Sequence, residues 1–310
     1  MISILIPIYN FNIVSLVTEL QRQASTALVP FEIIVLDDCS SVLLRDQNMD
    51  VAKLPGVKFH ELELNIGRAS IRNRLAAMAQ YSTLLFMDCD SEVADMHYIE
   101  NYLPYCGKEV VVCGGRIYRP DPPEEPDFLL RWLYGLRREQ LAVKVRSRNP
   151  HHSFMTNNFL ISKSILSQIR FDETIVQYGH EDTLFGYELK RKNIPVIHIH
   201  NPLIHIGLEI AREFLRKTNE GIENLMKLIQ AGKIRREDIQ DISLLRAYSL
   251  LTRYRLAKPF LFLYNQAERT IMDNLLGSNP GMLAFDLYKL AFLAKLIRRN
   301  KITTTFFTLL

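Results

Sequence analysis

The chain has 310 residues, 48% apolar and 23% charged, a globular composition long enough for an ample core in one large domain or two smaller ones. The net charge of +4 is uneven: residues 1–207 hold 21 Lys and Arg against 24 Asp and Glu, and residues 208–310 hold 17 against 10. That distribution speaks against nucleic-acid binding along the whole chain and points, in the C-terminal third, to an acidic partner such as anionic lipid. The four cysteines (Cys39, Cys89, Cys106, Cys113) lack paired metal-ligand spacing. The apolar run 2–8 is short and has no basic start, so no secretory leader is expected and the setting reads as reducing and cytoplasmic.

Ile2 to Ile8 reads as a first strand, closing at Tyr9-Asn10, and Ile13, Leu16, Val17 and Leu20 fall at helical spacing after it. Phe31 to Leu36 is a second strand ending at Asp37-Asp38, and Val57 to Leu64 a third. Asn65 can cap the next helix, whose body runs from Arg68 to Ala79. Leu84 to Met87 is a further strand, ending in Asp88-Cys89-Asp90. Strands alternating with helices predict an α/β fold with a mostly parallel sheet flanked by helices.

In such sheets ligands sit beyond the carboxyl ends of the strands. Here those ends carry Tyr9-Asn10, Asp37-Asp38 and Asp88-Asp90. Along extended backbone Asp88 and Asp90 can point the same way, with Cys89 turned back. Adjacent carboxylates repel unless something positive lies between them. A divalent cation meets that need; a solvated loop is the plain alternative. Neither G-x-G-x-x-G nor G-K-[ST] occurs, so the phosphates of a bound nucleotide would be held by metal and basic side chains.

Val110 to Tyr118 reads as one strand, in which Gly114-Gly115 either lets a ligand approach the backbone or forms a bulge. Arg119 to Asp127, with four prolines and five charges, is a loop. Phe128 to Pro150 is placed only as a helix or lid beside the site. Phe154 to Ile161 is a further strand. In Gly179-His180-Glu181-Asp182, the carboxylates open a helix with Leu184, Phe185 and Leu189 on its buried face; they serve either chemistry or the helix start. Pro195 to His200 alternates as a strand, and His198, His200 and His205 are close enough in sequence to be metal ligands or structural residues.

Ser3 to Asn10, Leu36-Asp37-Asp38-Cys39-Ser40, Asn65-x-Gly67 through Arg72-Asn73, Asp88-Cys89-Asp90 and Gly179-His180-Glu181-Asp182 occur in the order seen in family 2 glycosyltransferases with the GT-A fold. The resemblance covers roughly residues 1–210, so a catalytic domain over 1–210 and a helical region over 211–310 are expected. It implies that Asp38 hydrogen-bonds the nucleotide base in a pocket lined by Pro7, Tyr9 and Asn10, with Arg72 near the nucleotide and Arg68 the alternative. It further implies that Asp88 and Asp90 hold Mn²⁺ or Mg²⁺ on the donor diphosphate, with His205 as a further ligand. Asp182 would then be the base that activates the acceptor hydroxyl, and Glu181 would orient acceptor or donor. His180 stands where a Gly or Tyr is frequent, a departure on the acceptor side.

The function implied is inverting transfer from a nucleotide sugar, foremost a UDP sugar, to a glycan or lipid-linked acceptor in bacterial surface polysaccharide synthesis. A sugar-1-phosphate nucleotidyltransferase would want a Gly-rich loop where Pro7-Ile8-Tyr9-Asn10 stands. A catalytically silent nucleotide-sugar-binding scaffold and an unrelated α/β binding module are the non-enzyme alternatives. In the C-terminal third, Ile222, Leu225, Met226 and Ile229 make one helical stripe. Leu283 to Ile297 is apolar but interrupted by Asp286, Lys289 and Lys295, which argues against a membrane span. With Arg298, Arg299 and Lys301 following, it either lies on the anionic inner face of a membrane or packs on the catalytic domain or a second subunit.

Overall fold

The structure, a computed structural model, describes residues 1–175 and 179–300. Within those residues the chain forms two compact units. The first comprises residues 1–119, 138–175 and 181–207; the second comprises residues 120–137, 179–180 and 208–300.

The strands are β1 (Ile2–Ile8), β2 (Phe31–Asp37), β3 (Val57–Glu61), β4 (Thr83–Met87), β5 (Ser91–Val93), β6 (Val111–Cys113), β7 (Arg116–Ile117), β8 (Asn158–Ser162), β9 (Val196–His198) and β10 (Leu203–His205). Seven of them form one sheet in the order β3-β2-β1-β4-β8-β6-β9; β5, β10 and β7 form a second. The first four strands of the large sheet run parallel, while β8 is antiparallel to both β4 and β6. Because β2 and β4 flank β1 on opposite sides, the strand order reverses there, and the carboxyl ends of β1 and β4 open a crevice of the kind that binds ligands.

The helices are α1 (Val14–Thr26), α2 (Val42–Met49), α3 (Gly67–Met78), α4 (Leu129–Tyr134), α5 (Val143–Arg146), α6 (Lys163–Gln168), α7 (Glu181–Arg191), α8 (Ala211–Gln230), α9 (Arg236–Ile239), α10 (Ser243–Arg253), α11 (Ala257–Leu275) and α12 (Met282–Arg299). The near-continuous apolar runs of β1, β2 and β4 suit strands covered on both faces. On one face Leu5, Ile34, Leu84, Phe86 and Phe159 pack against Leu75 of α3 and Phe185 and Leu189 of α7. On the other, Ile4, Ile6, Val35, Leu85 and Leu160 pack against Leu16, Val17 and Leu20 of α1 and against Tyr98 and Tyr102.

Three sequence expectations change. Asn65 does not cap α3: its amide donates to the Asp38 carbonyl, and the cap comes from the end of β2, where the Asp38 carboxylate accepts from Ile66 N at 2.7 Å and Gly67 N at 3.0 Å. The Val110–Tyr118 strand is broken at Gly114-Gly115 into β6 and β7, which belong to different sheets. Protein, not ligand, approaches that glycine pair. A Cβ on Gly114 would lie 2.3 Å from Asn201 O and 2.4 Å from Tyr102 Oη, and one on Gly115, whose φ is 98°, would lie 2.7 Å from the Arg146 guanidinium. Finally, α12, read either as lying on a bilayer or as packing on the catalytic domain or a second subunit, turns Phe285, Ala291, Leu293, Ala294 and Ile297 inward among the helices of its own unit. Its interrupting charges are paired within that unit, Asp286 with Lys289 and Lys295 with Glu268. The stripe Ile222, Leu225, Met226 and Ile229 is likewise buried. Among the described residues no helix is long and apolar enough to cross a membrane.

Candidate active site

At the end of β1, the Asn10 side chain accepts from Ser41 N and its backbone N–H donates to Ser40 Oγ, fastening the loop that leaves β2. Tyr9 beside it is exposed. Asp38 is buried, which raises its pKa, against the lowering effect of the two amides it accepts. Each oxygen takes one of those hydrogen bonds, leaving lone pairs for a further donor.

At the end of β4, Asp88 is gripped from two sides: Arg72 of α3 donates to Oδ1 at 2.7 Å and Arg116 to Oδ2 at 3.3 Å. Arg116 also meets Glu139 at 3.3 Å, and the Tyr118 hydroxyl donates to the same carboxylate. Burial by itself lowers the pKa of Arg116; the surrounding acidic groups, Glu139 foremost and then Tyr118, Asp90 and Asp88, outweigh it and raise the pKa. Asp90 takes a different environment. Its backbone carbonyl accepts from Ile206 N, its Oδ2 lies 3.5 Å from His205 Nδ1, and a Cβ on Gly207 would come within 2.7 Å of its own Cβ. Burial by itself raises the Asp90 carboxyl; the His205 ring, Arg116 and Arg68 outweigh it and hold the group well below the usual carboxylate range. The small sheet explains this grouping. β5 starts right after Asp90, β7 starts with Arg116 and β10 ends with His205, so pairing three short strands gathers the three side chains.

At the start of α7, Glu181 is buried with Oε1 3.5 Å from the exposed Arg68 guanidinium. Burial first, and then the Glu181 carboxylate, push the Asp182 carboxyl up to about 7, against the opposing pull of Thr183 N–H and Arg72; Asp88 adds to the rise. The preceding residue, His180, has φ 69°, which glycine adopts freely and histidine does not. That conformation gives a backbone reason for a glycine to be frequent there.

The three neighbouring histidines separate. His198 Nε2 donates to Pro150 O, so the neutral ring presents Nδ1 as an acceptor, which Arg146 fills at 2.8 Å. Burial and then the Arg146 charge depress its pKa despite the Pro150 bond, and the residue is structural. His200 is exposed. Only His205 reaches the carboxylates.

Among the described residues, no group of three or more His, Cys, Asp or Glu side chains is arranged to hold a metal ion. A divalent cation nevertheless fits part of this set. Asp90 Oδ1 is buried and, among the described residues, has no hydrogen-bond partner. With His205 alongside, it offers hard oxygen and imidazole ligands for an ion whose remaining ligands come from a diphosphate. Asp88 does not fit as well, because two arginines already occupy its oxygens.

The sequence profile of glycosyl transferase family 2 matches residues 3–170, more than half of the chain. The chain belongs to glycosyl transferase family 2. This family 2 glycosyltransferase is similar in fold to a mannosyltransferase, PcManGT from Pyrobaculum calidifontis, solved with GDP-Man and Mn²⁺, at 12% identity and a TM-score of 0.54 over 97% of this chain and 87% of that one. It is also similar to S. aureus TarS 1–349 in complex with UDP, at 15% identity and a TM-score of 0.51 over 97% of this chain and 91% of that one. It spans 38% of the longer S. aureus TarS chain. No curated protein matches the chain. The neighbours share the GT-A fold, as the resemblance of the motifs had implied.

In this glycosyltransferase the structure brings Arg72, Asp88, Asp90, Glu181, Asp182 and His205 to one edge of the sheet, and Arg68 to Glu181. Two residues of that edge went unnoticed in the sequence. Arg116 was hidden inside a run read as one strand. Asn157 sat in a strand with nothing to set it apart, yet its backbone carbonyl accepts from Asp88 N and both polar atoms of its side chain are buried without a hydrogen-bond partner among the described residues.

Proposed function

We propose that this family 2 glycosyltransferase moves a sugar from a nucleotide diphosphate donor, UDP foremost, to a hydroxyl of a glycan or lipid-linked acceptor, with inversion at the anomeric carbon. The observation that carries this reading is the placement of Asp182 at the start of α7 beside Glu181, which meets Arg68, with its charge coupled to Asp88 of the β4 end; burial and Glu181 push its carboxyl up to about 7. A base with that affinity can take a proton from a hydroxyl under neutral conditions and give it up again. Asp38 accepts from the nucleobase with its remaining lone pairs, beside Pro7, Tyr9 and Asn10. Asp90 and His205 would hold Mn²⁺ or Mg²⁺, which when bound would supply positive charge for a departing diphosphate. Asp88 keeps Arg72 and Arg116 in place, so in this reading the two carboxylates divide their work. Arg68, exposed at the mouth, is the better placed of the two helix arginines to meet a nucleotide phosphate.

As the acceptor oxygen bonds to the anomeric carbon, its proton passes to Asp182, the carbon–oxygen bond to the diphosphate breaks, and the electron pair leaves with the diphosphate. Base and cation-binding groups come from different elements, α7 and the small sheet, which suits displacement from the face opposite the leaving group. Hydrolysis of UDP and GDP sugars, offered singly with Mn²⁺, tests the donor. Turnover of a UDP sugar is expected, and turnover of GDP sugars alone would reassign the base pocket. With a competent pair in hand, Glu181→Gln should raise the acceptor KM with only a small loss of kcat, as removal of binding rather than proton transfer requires.

The acceptor class gives the enzyme a reason to meet an anionic bilayer, and we place that contact at the corner between α10 and α11, away from α12. Leu250, Tyr254, Leu256, Phe262 and Leu263 are exposed there among Arg246, Arg253, Arg255 and Lys258. No Asp or Glu falls between Asp241 and Glu268. Exposed apolar side chains interspersed in sequence with cations suit the headgroup boundary of anionic lipid. The full chain should float with phosphatidylserine vesicles and not with phosphatidylcholine vesicles, and Phe262→Asp with Leu263→Asp should abolish flotation. Unchanged flotation, or concentration-dependent self-association in place of it, would overturn the assignment.

A further inference from the structure

Asn157 lies in the first unit where β8 begins, paired through its backbone with Asp88. The next residue, Asn158, points to the far face, where its amide is fully committed: Oδ1 accepts from the hydroxyls of Tyr98 and Tyr102, and Nδ2 donates to Gly115 O and Asn201 O. The backbone bond from Asp88 to Asn157 carries the β4–β8 register one step past Met87 and Asn158, so Asn157, in the turn just ahead of β8, stands opposite Asp88. Phe159 is stacked on Phe86 at 5.0 Å and lies in the same aromatic cluster as Phe171 and Phe185. Phe86 and Phe159 face each other in the same register two pairs earlier, so Asn157 lies beyond that cluster toward the carboxyl edge of β4. Asp182 and Phe185 are three residues apart and share a face of α7, which puts the carboxyl one turn from the same cluster and toward the same edge. Asn157 thus stands beside Asp88, whose charge also reaches Asp182, at the edge where the transfer reading puts the donor.

The other polar groups of this edge are nearly all charged: Arg68, Arg72, Arg116, Asp88, Asp90 and Glu181. They suit phosphates, a cation or each other. Asn157 offers a neutral carboxamide, two donors and an acceptor, which matches the hydroxyl or acetamido groups of a neutral sugar. It is only 3% exposed, and neither its nitrogen nor its oxygen has a partner among the described residues. A buried amide left unsatisfied in this way destabilises a fold, so its retention calls for a bonding group that arrives with substrate.

On the transfer reading given above, we propose that Asn157 is a specificity-determining residue that hydrogen-bonds the polar substituents of the donor's sugar ring. The sugar closes the two open hydrogen-bonding atoms, and a sugar with a substituent missing or inverted leaves one of them open again.

The test compares wild type with Asn157→Leu and Asn157→Asp, using calorimetry with Mn²⁺ and either the nucleoside diphosphate or the matching nucleotide sugar. Asn157→Leu should bind the nucleoside diphosphate as wild type does and lose about tenfold or more of the additional affinity for the nucleotide sugar. It should also raise the thermal midpoint, because a leucine removes an unsatisfied buried amide; a purely structural asparagine would lower the midpoint on the same change. Asn157→Asp, which loses the donors, should show the same selective loss. An unchanged ratio of nucleotide-sugar to nucleotide affinity overturns the proposal, as does a lowered midpoint with loss of both ligands. Failure of the wild type itself to bind any nucleotide sugar would instead count against the transfer reading and is seen before any variant is made.

Discussion

Asp182→Asn is expected to lower turnover about 10²–10⁴-fold while leaving donor affinity near that of the wild type. The substitution keeps shape and hydrogen-bonding reach but removes the proton acceptor. The groups proposed to hold the nucleobase and the cation lie on other elements. A dependence on pH accompanies the loss. Burial and the neighbouring Glu181 raise the carboxyl to about 7, so it is protonated and unable to accept below that value and ionised above it. The wild-type rate should therefore rise with pH through about 7 and then level, and Asp182→Asn should lack that limb. Stability shows the opposite slope. Between the ordinary carboxylate range and about pH 7 the folded state holds a proton that the unfolded chain has released, so wild-type stability falls as pH rises across that window. Asp182→Asn should flatten this slope as well. Steady-state rates and thermal midpoints over one set of buffers measure both. An active Asp182→Asn beside a dead Glu181→Gln would reverse the two roles.

Asp90→Ala should abolish the heat of UDP binding that depends on Mn²⁺. Exchanging outer-shell partners of a metal ligand typically costs about 10–100-fold in metal affinity, so loss of a ligand should reach at least the upper end. Three features make Asp90 rather than Asp88 the residue to remove. Its Oδ1 is buried and open among the described residues, its Oδ2 faces His205, and it is held in the ionised form that a cation needs. Asp88→Ala acts differently, because it releases Arg72 and Arg116 from their shared carboxylate. His205→Ala should weaken retention of Mn²⁺ without removing it. Calorimetry with UDP, with and without Mn²⁺, reads each variant. Unchanged affinity in Asp90→Ala would move the cation away from β10. His198 could not take the role, since both of its ring nitrogens are engaged by Pro150 and Arg146.

The parallel half of the fold was legible because β1, β2 and β4 are apolar runs that end abruptly in polar residues, and burial on both faces writes that pattern directly. The antiparallel half was harder. β6 and β7 are joined by only two glycines, and local sequence could not report that Arg146, 31 residues beyond Gly115, fills the space where a side chain there would stand. The same limit hid Arg116, whose meaning depends on β10 pairing β7 with β5. Spacing likewise grouped three histidines that the strands separate. The Asp-x-Asp pair was visible, but its division between two arginines on one side and a histidine on the other depends on which helix and which sheet reach each residue. Asn157 carried no signal, since an asparagine left unsatisfied looks in sequence like any other. The apolar stretch of α12 was visible too, although composition could not tell a neighbouring helix from a lipid surface.

Asp38 has one more consequence, through its bonds to Ile66 and Gly67. The carboxylate proposed to meet the nucleobase is also the clasp at the start of α3, the helix that carries Arg68 and Arg72. A base arriving at Asp38 would draw on the same charge that steadies those first amides. Filling the base pocket and setting the arginine-bearing helix are then one mechanical event: occupancy at one end of the crevice is felt at the other as stiffness, with no moving loop to carry the message. It also follows that affinity lost on replacing Asp38 would measure a loosened helix as well as a missing contact.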